Sequence, residues 1–152
     1  MIPTPNAITT AIITVKVMIV VITMERAMCA DTTTVKGMRA ATRKAMKAAD
    51  AVKEQGVGVR VLDFHTIKPF DTEAALKACA DCGNIVVVED GSIYGGLAGA
   101  VAETFVENGA APKKFKRLGL TTFGTTGTVP QLAEFFGLDR KALEKTVKDM
   151  IG

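Results

Sequence analysis

Residues 85–99 read IVVVEDGSIYGGLAG. The run Ile85 to Val88 is continuously apolar and β-branched, which suits a strand covered on both faces, as inside a parallel sheet. The Gly-rich loop after it, ending in Gly95-Gly96-Leu97-Ala98-Gly99, predicts a turn into a helix that packs close against that sheet. The helix runs near Leu97 to Glu107, with Asn108 and Gly109 to stop it. Strand, glycine turn and helix together make half of a βαβ unit.

Working outward, the same alternation repeats. Met38 to Gln55 is rich in Ala, Met, Lys and Arg, with Ala41, Ala45, Ala48, Ala49 and Val52 at helical spacing, and Gly56 supplies a stop. Val57 to Leu62 reads as a strand, and Pro69 closes the turn that follows it. Asp71 is placed to cap a helix over Thr72 to Cys82, where Glu73 favours the positive end of the dipole and Gly83-Asn84 end the run. Phe115 to Leu120 predicts a further strand and Thr121 to Thr128 a loop. Pro130 opens a short helix, and Asp139 caps a last one to Met150. Strands separated by helices predict an α/β fold, a three-layer α/β/α arrangement around a mostly parallel sheet of about five strands. Two regions are distinguished: residues 37–152 as the domain, and residues 1–36 as an uncertain N-terminal segment containing an apolar strand.

That N-terminal strand is the stretch Ile12 to Ile22, IITVKVMIVVI. It carries Lys16 in its middle and falls short of the ~20 apolar residues a spanning helix needs. No basic region precedes it and no cleavage signal follows, so a buried strand is expected, with no membrane role. The 152 residues suffice for one core without disulfides or metals. Nineteen Lys and Arg against sixteen acids leave a net charge of +3, spread along the chain with few aromatics, unlike the basic stripe of a nucleic-acid binder. Three cysteines, Cys29, Cys79 and Cys82, are too few and too odd for a secreted disulfide framework, and point to the cytoplasm.

Motifs for chemistry are incomplete. Cys79 and Cys82 form C-x-x-C without a second ligand pair for zinc, and they fall at the end of a predicted helix, where the dipole disfavours a thiolate. His65, the only histidine, follows a strand at the sheet edge where ligands bind, yet has no nucleophile near it in sequence. Gly95-Gly96-Leu97-Ala98-Gly99 lacks the G-x-G-x-x-G spacing and the later acidic residue of a dinucleotide site. Gly124-Thr125-Thr126-Gly127-Thr128 lacks the ending of a P-loop. Lys113, Lys114, Lys116 and Arg117 read as solvating cations along a strand and its entry. No catalytic, cofactor-binding or metal-binding residue is assigned.

Three runs together carry a resemblance. Residues 60–71, RVLDFHTIKPFD, residues 86–103, VVVEDGSIYGGLAGAVAE, and residues 123–132, FGTTGTVPQL, followed by Gly137-Leu138-Asp139, resemble signatures of the C-terminal domain of transketolase-type thiamine-diphosphate enzymes. The likeness spans residues 45 to 152 and is nearest to transketolase, including its split, two-subunit form. It implies a C-terminal domain or subunit fragment of an enzyme transferring a two-carbon ketol unit between sugar phosphates, in a homo- or hetero-oligomer. Thiamine diphosphate and magnesium belong to the full enzyme. They are held by partner domains that carry the diphosphate- and pyrimidine-binding parts, and this chain neither binds them nor catalyses alone. His65, Lys68, Glu89, Asp90, Ser92, Tyr94, Gly95 and Gly96 are the implied interface or substrate-channel residues. Other readings are a non-catalytic interaction module of the same fold, and the equivalent domain of a 2-oxo-acid dehydrogenase β-subunit or deoxyxylulose-phosphate synthase. The sequence departs from the family at Gly91, where relatives often carry His, and at residues 31–38, which match the family's opening strand only loosely.

Overall fold

The computed structural model describes residues 16–22 and 40–151. In chain order the elements are β1 (Lys16–Ile22), α1 (Ala40–Lys53), β2 (Gly58–Asp63), α2 (Thr72–Cys82), β3 (Asn84–Ser92), α3 (Leu97–Glu107), β4 (Lys114–Leu120), α4 (Val129–Phe135) and α5 (Arg140–Ile151). The four strands form one sheet in the order β2-β1-β3-β4, parallel throughout. Among the described residues the sheet thus has four strands where about five were expected. Residues 16–22 of the expected Ile12–Ile22 strand form β1, between β2 and β3; residues 12–15 lie outside the described residues. So do Met38 and Arg39 at the start of the first expected helix, Cys29, and the loosely matching residues 31–38.

The strand periodicity divides the core. On β3, Val86 and Val88 pack with Ala41, Ala45 and Ala48 of α1 and with Leu143 and Val147 of α5. Ile85 and Val87 point the other way, onto Ala75 and Ala78 of α2 and Leu97 and Val101 of α3. Side chains at successive strand positions face opposite sides, so a run of four apolar residues serves both layers. All four of these β3 residues are fully buried, and each contributes roughly 1.5–3 kcal/mol through burial. The result is the expected three-layer α/β/α sandwich.

The helix boundaries follow the capping chemistry. The Asp71 side chain accepts from Ala74 N–H at 2.9 Å, and Gly83, at φ 73°, closes α2 by donating its N–H to the Cys79 carbonyl. Asp139 accepts from Ala142 N–H at 3.2 Å at the start of α5. β3 runs further than its apolar stretch, to Ser92, because Ser92 pairs with Leu120 of β4 across an irregularity in register after Val88. The residues expected to begin a glycine-rich loop therefore continue the strand.

The chain winds from β1 to β2 on one side and places β3 on the other. That reversal leaves a crevice at the carboxyl ends of the strands, the place where open α/β sheets collect ligands and partners. The turns carrying His65 and Tyr94 both lie on this edge.

Candidate functional site at the carboxyl edge of the sheet

Glu89 is the element of this edge that the rest is built around. It is in phase with Ile85 and Val87 on β3, so its side chain enters the α3 side of the sheet and is only 6% exposed. Its Oε2 accepts from the backbone N–H of Leu97 at 3.0 Å, at the first turn of α3. Its Oε1 is buried with no hydrogen-bond partner among the described residues. Burial pushes the carboxyl above its usual range, against the opposing pull of the Leu97 and Ala98 N–H groups and the Arg117 charge.

Two glycines make room for this carboxylate. A Cβ on Gly96 would overlap the Glu89 carboxylate and approach the Ser92 carbonyl to 3.0 Å. A Cβ on Gly119 of β4 would come to 2.8 Å from the Gly91 carbonyl and 3.0 Å from Glu89 Cγ. Gly95, at φ 71°, supplies the left-handed turn just before Gly96. The close helix–sheet approach expected of these glycines is present, and its specific content is a buried acid.

The remaining candidate residues sort by place. Asp90 and Ser92 are exposed, and Ser92 Oγ accepts from Tyr94 N–H at 3.1 Å, shaping the turn. Tyr94 is 69% exposed, and Arg117 of β4 lies over its ring, 5.9 Å from the centroid. The same guanidinium donates to the Ile93 carbonyl at 3.5 Å. Lys68, joined to Pro69 by a cis peptide bond, borders a groove of about 300 Å³ with Gly95, Gly96, Gly99 and Glu103 of the α3 side. His65 does not join them. It is exposed in a separate cleft of about 490 Å³ with Asp63, Thr66 and Asp71. Phe64 and Phe70 stack 5.0 Å apart and pin the ends of the turn between them.

The structure therefore gathers Lys68, Glu89, Tyr94, Gly95 and Gly96 around the start of α3 and leaves His65 one turn away. Arg117 is exposed, as expected of a solvating cation, but it also lies over Tyr94, which the sequence reading did not place. The neighbouring Lys114 and Lys116 are exposed as expected. No local signal pairs Arg117 with Tyr94, because the contact depends on the register of β3 against β4. Cys79 is buried, and burial pushes its thiol up, as befits a structural cysteine. Cys82 is half-buried in the last turn of α2. Among the described residues no three His, Cys, Asp or Glu side chains converge to hold a metal ion, and no helix is long and apolar enough to cross a membrane.

Comparison with known proteins decides the family. Residues 30–143 match the family model described as transketolase, C-terminal domain. The chain belongs to the transketolase C-terminal domain family. It is 38% identical over 108 residues to a 6-deoxy-6-sulfo-D-fructose transketolase subunit of a Clostridium species, covering 70% of this chain and 33% of that one. It is 35% identical over 122 residues to rat (Rattus norvegicus) transketolase, covering 80% of this chain and 19% of the relative. Among solved structures, a split-gene transketolase in the form of an inactive β4 tetramer superposes with a TM-score of 0.73 at 26% identity, over 91% of this chain and 40% of the other. The chain thus spans about a third or less of the curated relatives named here. The three signature runs of this transketolase-type domain fall on β2 and its following turn, on β3 with α3, and on the loop into α4.

Proposed function

We propose that this chain is the C-terminal domain, or a fragment of the C-terminal subunit, of a transketolase-like enzyme that transfers a two-carbon ketol unit between sugar phosphates. It acts in the cytoplasm, within a homo- or hetero-oligomer whose other parts hold thiamine diphosphate and magnesium. The observation that carries this reading is the family match over residues 30–143, together with the small share of its relatives that the chain covers. The folded unit is residues 37–152, with its central strand drawn from residues 16–22.

The residues present do not fit the cofactor. A diphosphate bound through magnesium needs converging oxygen ligands, and no such cluster occurs among the described residues. Each cleft of the carboxyl edge carries two carboxylates, Asp63 and Asp71 beside His65 or Glu103 and Glu107 beside Lys68, so neither offers the excess of cations that a diphosphate needs. No step of the chemistry is therefore assigned to this chain. Its part is structural: the turn bearing Tyr94, the Arg117 guanidinium over it, and the His65-Lys68 turn form the surface offered to the partner that completes the site. Tyrosine and arginine are the residue types most often dominant at such contacts. The solved split transketolase, an inactive tetramer of its β subunit, supports a requirement for a second component.

The test is reconstitution. Mixed with a partner supplying the other two domains, thiamine diphosphate and magnesium, the chain supports ketol transfer from a ketose phosphate. A stable complex that never turns over would remove the transketolase assignment. Titration calorimetry of the isolated chain with the cofactor gives no binding, and micromolar affinity would contradict that part of the reading.

A further inference from the structure

No further inference is drawn: the strongest candidate, the cleft of about 490 Å³ after β2 that Asp63, His65 and Asp71 line, rests on two acidic side chains alone, and nothing in the structure shows what would cover it.

Discussion

A methyl group at position 96 has no space to occupy, because the Glu89 carboxylate already stands there. Gly119, on the neighbouring strand, is closed in by the Gly91 carbonyl and by Ile93 Cγ2 at 2.9 Å. Gly91 itself has open space around its would-be Cβ. Gly96→Ala and Gly119→Ala are therefore expected to lower stability by roughly 1–3 kcal/mol each, the usual penalty of overpacking. Gly91→Ala should stay within about 0.5 kcal/mol of the parent. Denaturant midpoints of the three variants check the order, and equal losses at all three would contradict the packing described. At this scale the sequence was partly legible. Counting in twos from Ile85 places Glu89 on the α3 face, yet its charge made the strand look finished at Val88. What could not be read was the pairing of Ser92 with Leu120, which depends on a strand about thirty residues away and carries the chain on past the apolar run.

Among the elements, the helices were the most readable because their ends obey local chemistry. Asp71, Gly83 and Asp139 do at the termini of α2 and α5 what their positions foretold. α4 is different. Pro130 announced it, but its entry is held by Gln131, whose amide oxygen accepts from both the Thr128 N–H at 2.9 Å and the Thr128 hydroxyl at 2.8 Å. Gln131→Ala should release that clasp at a cost of about 0.5–1.5 kcal/mol. Faster hydrogen exchange confined to the α4 region, with α2 unchanged, is the expected signature. Asp139→Ala, losing a cap, should cost about 0.5–2 kcal/mol and show itself in the global transition, because α5 lies on the core. The strands were less exact: β1 was anticipated as apolar, but its place between β2 and β3 depends on hydrogen bonding between distant segments and has no local sign.

For the molecule as a whole, the two outer strands are unlike. β4 presents Lys114 and Lys116 to solvent, cations of the kind that discourage another strand from pairing. β2 has Arg60 as its exposed cation, and this is drawn to Asp81 of α2 at 2.8 Å. The sheet is otherwise enclosed by its two helical layers, and α1 with α5 makes one of them. Leu143→Ala, in the middle of that layer, should cost about 2–5 kcal/mol. A loss of unfolding free energy, from denaturant titration, of less than half the low end of that range would show that α5 contributes little to the core. The fold class was visible in the alternation of patterns along the chain. That Tyr94 and Phe123, 97% exposed, follow strands ending at the same edge was not, since this depends on β3 and β4 pairing in parallel.

The pairing of α5 with α1 has a consequence for how the protein is made. α1 leaves the ribosome well before α5, the last of the elements described, yet Val86 and Val88 pack against both. Until translation has passed Met150, the side of the nascent sheet that α1 and α5 share is only partly covered and open to chaperones and proteases. A premature stop anywhere beyond β4 would thus yield a polypeptide with most of its fold encoded and little prospect of surviving in the cell.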